Sequence, residues 1–169
     1  MNKKILMIVA PEDFRDEECF EPKTVFEKNK AEVTIASKGV KEAKGKLGGK
    51  IRVDVDISEV EINDYDAVVF VGGPGAAEYF EDGTALAIAK EAYDSGKVVA
   101  AICIAPSILA NAGILKGKRV TVFASEKDNI ISKGADYTGQ AVTVDGRIVT
   151  ASGPAAAEEF GKAIVSALQ

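Results

Sequence analysis

The sequence predicts an α/β domain in which helices cover both faces of an open, mostly parallel sheet. Short β-branched apolar runs alternate with helical patterns along the whole chain. Several of these runs are apolar throughout, as expected of strands buried on both faces of a sheet. A length of 169 residues suits one domain, 1–169, whose core needs no disulfide.

Strands are predicted where an apolar run is bounded by polar residues or glycine, and the last two flank a hairpin turn at Asp145-Gly146. The predicted strands are Lys4–Ala10, Glu32–Ser37, Ile51–Val55, Asp66–Val71, Val98–Cys103, Arg119–Phe123, Gln140–Val144 and Arg147–Ala151. The predicted helices are Asp16–Lys30, Ala76–Glu81, Thr84–Ser95, one from the elbow at Cys103 to Ala112, Lys127–Ser132 and Ala155–Leu168.

Cys103 stands where one apolar strand turns directly into an Ala/Leu-rich helix, which is typical of a nucleophile elbow. The small residues Ala101 and Ala105, two positions to either side, allow the tight turn. The N-terminus of the following helix favours thiolate, so we expect a lowered pKa for this thiol. A buried structural cysteine is the alternative that this segment leaves open.

Three loops are expected to converge beyond the carboxyl ends of the parallel strands: Ala10–Glu18, Gly72–Gly75 and the elbow at Cys103. The Gly-Gly-Pro-Gly loop can approach a ligand closely and offer N–H donors to an oxyanion, although an ordinary turn has the same composition. It does not match the dinucleotide fingerprint GxGxxG. Glu18 could exchange a proton with the thiol if its helix face points there, whereas Glu17 suits the surface.

Composition excludes several classes of function. The chain has no histidine, so it cannot build a Cys-His or Ser-His pair or the usual His-containing zinc sites, and no metal or other cofactor is expected. A net charge of −5 argues against nucleic acid as a partner. Two cysteines without a spacing motif, and an N-terminus that suits a strand better than a secretory leader, predict a cytoplasmic protein. The uncharged stretch Val98–Leu115 contains Pro106 and Gly113, which favour a buried strand and helix over a membrane span.

Cys19 and the stretch Lys38–Lys50 are predicted to have structural and not catalytic roles. Consecutive helical residues point about 100° apart, so Cys19 and Glu18 cannot both face the elbow. We expect Cys19 to pack in the core or an interface, with a resolving thiol as the minor alternative. The lysine- and glycine-rich stretch Lys38–Lys50 is expected to be a solvated hairpin or loop.

Several motifs together resemble the ThiJ/PfpI superfamily, which has the class I glutamine amidotransferase-like fold. They are the elbow Ala101–Pro106, Gly72-Gly73, Glu18–Pro22, and Ser152–Pro154 followed by Glu159-Phe160. The resemblance covers nearly the whole chain and is closest to the branch of the parkinsonism-associated protein deglycase. It implies a three-layer flavodoxin-like sandwich and a homodimer without a cofactor.

The resemblance also implies roles for individual residues. Cys103 matches the family nucleophile, Glu18 matches the glutamate beside it, and the N–H groups of Gly73 and Ile104 match an oxyanion hole. Gly72, Pro74 and Phe123 fall at pocket positions, Phe123 near a place where the branch often has histidine. The peptidases of the superfamily carry histidine after the nucleophile, where this chain has Ile104, so a peptidase is the least favoured function.

Three functions remain open at this stage. The first is an enzyme of the glutathione-independent glyoxalase or deglycase type, which acts on small α-oxoaldehydes through Cys103 and Glu18. The second is a redox sensor or stress-protective protein, in which Cys103 is oxidised and a protonated Glu18 stabilises the product. The third is a chaperone-like or structural dimer that uses the fold without catalysis.

Overall fold

The computed structural model describes residues 1–169 as twelve strands and five α-helices. The strands are β1 (Lys4–Ile8), β2 (Glu12–Phe14), β3 (Glu32–Ser37), β4 (Glu42–Gly45), β5 (Lys50–Arg52), β6 (Val55–Asp56), β7 (Ala67–Phe70), β8 (Val98–Ile102), β9 (Arg119–Val120), β10 (Asp136–Tyr137), β11 (Val142–Asp145) and β12 (Ile148–Ala151). The helices are α1 (Asp16–Lys28), α2 (Gly83–Asp94), α3 (Pro106–Asn111), α4 (Lys127–Ser132) and α5 (Ala157–Leu168). None of the helices combines the length and apolarity that a membrane crossing requires.

Seven strands form the central sheet, in the order β11-β12-β8-β7-β1-β3-β6. Every pair in it is parallel except the β11–β12 hairpin. All residues of β7 and β8 are buried, because helices cover both faces, and this explains why these strands are apolar throughout. The predicted α/β fold with a mostly parallel sheet is confirmed.

The two faces of the sheet carry separate apolar cores. Side chains such as Ile88 of α2 and Leu109 of α3 belong to one core, and Phe26 of α1 and Phe160 of α5 belong to the other. Helices α1 and α5 pack closely at Gly161, where a Cβ would lie 3.0 Å from the Cα of Pro22. Three layers result, and they bring the start of α1 to the carboxyl ends of the central strands.

Two predicted elements have a different form. Residues Pro74–Tyr79 make a 3-10 helix in place of the helix predicted over Ala76–Glu81. The strand predicted over Arg119–Phe123 keeps only its first two residues, as β9, and pairs with β10 outside the central sheet. Its later N–H groups bond elsewhere, since Phe123 N donates to the carbonyl of Cys103 at 2.8 Å.

The hairpin turn is shifted by one residue. Asp145 pairs with Ile148 in the β11–β12 ladder, so Gly146-Arg147 forms the two-residue loop in place of Asp145-Gly146. Gly146 has φ +59°, which suits glycine at the first loop position.

A small sheet of order β2-β4-β5 lies beside the main one. It divides the strand predicted over Ile51–Val55 between β5 and β6, which belong to different sheets. The stretch Lys38–Lys50 contains β4, the loop that follows it and the start of β5. The sequence predicts a hairpin or a loop here, and the structure shows a hairpin.

Candidate active site

Cys103 lies immediately after β8 in a left-handed conformation, with φ +65°. Its N–H donates to the carbonyl of Ala151 at 2.9 Å, and its carbonyl accepts from Phe123 N at 2.8 Å. A non-glycine residue in this conformation costs about 1–3 kcal/mol, which the surrounding structure must supply. The residue is 8% exposed and lines a pocket. The chain therefore makes the elbow that the sequence predicts.

The carboxyl group of Glu18 is completely buried beside this thiol. Glu18 lies in the first turn of α1, and neither of its oxygens has a partner in hydrogen-bond geometry. The thiol of Cys103 is near enough to lower the carboxyl pKa, through an interaction that is not a well-aligned hydrogen bond. A buried carboxyl without a partner is costly to the fold and points to a chemical role.

Two glycines let the chain pass between α1 and the elbow. A Cβ on Gly72 would lie 2.4 Å from Glu18 Oε1 and 2.5 Å from Cys103 Cβ. Gly73 has φ +102°, and a Cβ there would lie 2.2 Å from the backbone N of Arg15. The Gly-Gly pair is thus required by close approach to the candidate site, and the structure favours this over an ordinary turn.

Burial sets the protonation of the two groups. It raises the pKa of Glu18 to about 8, and the neighbouring thiol and the Arg15 guanidinium offset only part of this effect. Burial, followed by the charge of Glu18, raises the pKa of Cys103 to about 11. Contacts from the N–H groups of Gly73 and Ile104 act in the opposite direction. The sequence prediction of a lowered thiol pKa is wrong, because desolvation outweighs the contacts that the sulfur receives from the N–H groups of Gly73 and Ile104.

The N–H groups of Gly73 and Ile104 both contact the sulfur, and neither donates to a backbone carbonyl. They are therefore free to bind an anion that forms next to Cys103. This is the location at which the sequence places an oxyanion hole.

A pocket of about 300 Å³ opens above the thiol. Its lining includes six of the seven residues predicted for the site, and only Gly72 is hidden, behind Glu18 and Cys103. Phe123 is 45% exposed and forms part of the rim. The lining residues are Arg15, Glu18, Lys46, Gly73, Pro74, Cys103, Ile104, Phe123 and Pro154.

Sequence reasoning missed two cations of this pocket, Arg15 and Lys46. Arg15 forms a two-pronged ion pair with Glu17, at 3.0 and 2.9 Å, so the half-buried Glu17 holds a pocket residue in place. Lys46 comes from the β4–β5 loop, which the sequence assigns only to solvent. No motif signals it, since the loop reaches the site through tertiary contacts. No group of three His, Cys, Asp or Glu side chains is arranged to hold a metal ion.

Cys19, the next residue after Glu18, lies in the apolar core and not at the pocket. It is fully buried in the apolar core between the sheet and α1, and burial raises its pKa to about 12. Both cysteines are free thiols. The prediction that Cys19 packs in the core is confirmed.

The chain is similar to several known proteins. Residues 3–167 match the model of the DJ-1/PfpI family. Protein MJ0967 of Methanocaldococcus jannaschii is 45% identical over 99% of this chain and 83% of its own length. Deglycase PfpI of Pyrococcus furiosus is 37% identical, over 89% of this chain and 90% of that protein.

Two further likenesses extend over the whole chain. The glutathione-independent glyoxalase DJR-1.2 of Caenorhabditis elegans is 29% identical over 99% of this chain and 89% of that protein. The crystal structure of a ThiJ/PfpI domain protein from Brachyspira murdochii superposes with a TM-score of 0.97 at 36% identity, covering 99% of this chain and 96% of that one. The resemblance drawn from the sequence motifs is confirmed, and the chain belongs to the DJ-1/PfpI family.

Proposed function

We propose that this protein is an enzyme of the glyoxalase or deglycase type that acts on small α-oxoaldehydes, with Cys103 as nucleophile and Glu18 as proton carrier. The observation that carries the proposal is the fully buried carboxyl of Glu18, which has no hydrogen-bond partner and lies beside the thiol at the base of the pocket. The names of the Pyrococcus furiosus and Caenorhabditis elegans relatives support the same chemical class.

The first step is addition of sulfur to the aldehyde carbon. The Glu18 carboxylate removes the thiol proton as the sulfur attacks, so the step needs no free thiolate, whose formation burial disfavours. The sulfur then forms a C–S bond while the carbonyl electrons move to oxygen. The N–H groups of Gly73 and Ile104 stabilise that oxyanion, and Glu18 donates its proton to give a hemithioacetal.

The second step moves hydrogen between adjacent carbons. The Glu18 carboxylate removes a proton from the former aldehyde carbon, the electron pair of that C–H bond forms a C=C bond, and the neighbouring carbonyl oxygen takes the negative charge of an enediolate. Glu18 returns the proton to the neighbouring carbon, and the hydroxyl proton of the former aldehyde moves to the adjacent oxygen, which gives a hydroxyacyl thioester on Cys103. Water breaks the C–S bond and releases the hydroxy acid. One carbon is oxidised and its neighbour reduced, so no external oxidant is required.

The pocket fits this substrate class in size and polarity. About 300 Å³ is at the small end of ligand sites. Ile104, Pro74 and Phe123 supply apolar surface for the substrate's carbon chain. Such walls restrict water around the carboxyl and the thiol, which maintains the high carboxyl pKa that proton transfer near neutral pH requires.

Methylglyoxal turnover with identification of lactate tests the proposal. Wild type, Cys103→Ala and Glu18→Gln are compared, and Cys19→Ala serves as a matched control that also removes a buried thiol. We expect lactate from wild type and Cys19→Ala, and none above the uncatalysed rate from the other two variants. Absence of turnover in wild type, or full activity in Glu18→Gln, contradicts the proposal.

A second candidate function rests on the same carboxyl. Protonated at neutral pH, Glu18 can donate a hydrogen bond to an oxidised Cys103, as a redox sensor requires. Brief exposure to dilute peroxide, followed by peptide mass analysis, distinguishes the two. A Cys103 that gains two oxygens in a protein without turnover supports the sensor, and a Cys103 that stays reduced while lactate forms supports the enzyme.

A further inference from the structure

The two cations of the pocket differ in how their charge is compensated. Arg15 is neutralised by its ion pair with Glu17. Lys46 has no ion-pair partner anywhere in the chain, although six other salt bridges form. Its exposed side chain lines the rim of the pocket. A lysine without an ion-pair partner thus lines the candidate site.

The loop that carries Lys46 is held in a defined position. Asp16, the first residue of α1, accepts the N–H groups of Leu47 and Gly49, both at 2.8 Å. The backbone N of Lys46 itself donates to the carbonyl of Phe14 at 2.9 Å. A Cβ on Gly49 would lie 2.5 Å from the Asp16 carboxylate, which shows how closely loop and helix approach. The same helix turn therefore positions both Glu18 and the loop of Lys46.

The local charge of the pocket is opposite to that of the whole protein. The chain carries a net charge of −5, which disfavours anionic ligands in general. Inside the pocket, Arg15 and Glu17 cancel, and Glu18 is protonated below a pH of about 8. The pocket therefore carries one net positive charge near neutral pH, that of Lys46.

We propose that Lys46 is a specificity-determining residue, whose ammonium group binds a carboxylate or phosphate on the tail of an α-oxoaldehyde substrate. The proposal rests on the function proposed above for its reaction and on the pocket geometry for its selectivity. A neutral substrate such as methylglyoxal occupies the reacting end of the pocket and leaves the ammonium unpaired. An anionic tail would pair with it and orient the aldehyde toward Cys103.

Three substrates with the same reacting atoms test the selectivity: methylglyoxal, 4,5-dioxopentanoate with a carboxylate, and hydroxypyruvaldehyde phosphate. We expect Lys46→Gln to lower kcat/KM for at least one of the two anionic substrates about fivefold, as one lost ion pair in water predicts. The loss should appear in KM and should exceed any change with methylglyoxal, and Lys46→Arg should restore the lost kcat/KM. Lys44→Gln in β4 removes the same charge outside the pocket and is the matched control. The tail that responds identifies carboxylate or phosphate as the preferred group.

A second measurement does not depend on turnover. Iodoacetate and iodoacetamide both alkylate Cys103, but only iodoacetate is anionic. We expect Lys46→Gln to lower the ratio of the two rates about fivefold, and Lys44→Gln to change it little. Salt of about 1 M should remove most of the difference, since it screens charges beyond about 3 Å.

The two measurements separate the two proposals. If wild type converts none of the aldehydes, the proposed function fails, and the alkylation ratio still reports whether Lys46 favours anions at the thiol. If Lys46→Gln and Lys44→Gln change the ratio equally, or neither changes it, the assignment of Lys46 is overturned. Unchanged KM for both anionic substrates in Lys46→Gln also overturns it.

Discussion

The two cysteines of this chain are both buried, both unpaired and both have raised thiol pKa values, yet only one belongs to a candidate site. Cys19 lies on α1 within an apolar core. Cys103 occupies a left-handed elbow with a carboxyl beside it, two N–H groups directed at its sulfur and a pocket above it. Burial alone therefore does not separate a reactive thiol from an inert one.

The two thiols differ in whether a neighbouring group can accept the thiol proton and whether a substrate or reagent can reach the sulfur. Burial raises both pKa values by disfavouring the charged form. Beside Cys103 the same burial creates a carboxyl that can exchange a proton near neutral pH, whereas Cys19 has no comparable group. The environment that makes the Cys103 thiolate costly also supplies the acid and base for its chemistry.

Alkylation should show the largest contrast between the two thiols. In the folded protein, iodoacetamide should label Cys103 at least ~100-fold faster than Cys19, because labelling of Cys19 requires local unfolding. A time course of peptide masses measures both rates, and in concentrated urea both cysteines should be labelled alike. Comparable rates in the folded state would remove the distinction.

The carboxyl that separates the two thiols should also make stability depend on pH. Because the folded-state pKa of Glu18 is raised from 4.5 to about 8, its contribution is fully present below pH 4.5 and is lost as the pH rises through 8. The loss is on the order of 4 kcal/mol at pH 8.5. Urea unfolding at pH 5 and pH 8.5 measures it.

Glu18→Gln should flatten that dependence, since the amide does not titrate. The variant should be more stable than wild type at pH 8.5 and close to it at pH 5. Glu91→Gln, which changes an exposed carboxyl on α2, is the matched control and should follow wild type. A parallel pH dependence in wild type and Glu18→Gln would assign the stability loss to other groups.

The elbow and its carboxyl could be predicted from the sequence because both follow from local patterns and one topological rule. A β-branched strand leading into a helix marks Cys103, and parallel strands bring their carboxyl ends to one edge. Glu18 is in the first turn of the helix that starts at this edge. These inferences need no knowledge of side-chain packing.

Lys46 and the thiol pKa could not be predicted because they depend on tertiary contacts. Lys46 reaches the pocket through tertiary contacts, among them the bonds that Asp16 accepts from the backbone of a loop 31 and 33 residues further along the chain. The raised pKa of Cys103 is due mainly to desolvation by the assembled core, which the sequence does not show. The strand predicted at Arg119–Phe123 is cut short for a related reason, since Phe123 bonds to the elbow.

Filling the space between Glu18 and Cys103 should disable the elbow. Gly72→Ala places a Cβ within 2.6 Å of Glu18 Oε1, Cys103 Cβ and the carbonyl of Ile102. We expect a loss of roughly 3 kcal/mol in the free energy of unfolding, at the upper end for overpacked cores, and slower alkylation of Cys103. Thermal or urea unfolding measures the first effect. Gly83→Ala, where a Cβ meets nothing within 4 Å, should be neutral or slightly stabilising.

The smallest expected effect concerns the link between α1 and the Lys46 loop. Asp16→Asn replaces a carboxylate that accepts two backbone N–H groups with an amide that offers one oxygen. We expect a loss of about 1–2 kcal/mol in unfolding free energy, together with faster amide exchange at Leu47 and Gly49. Asp94→Asn, which removes only an exposed ion pair with Lys90, should cost less than ~0.5 kcal/mol. If Asp16→Asn leaves exchange in the loop unchanged, other contacts hold Lys46, and its position is independent of the helix that carries Glu18.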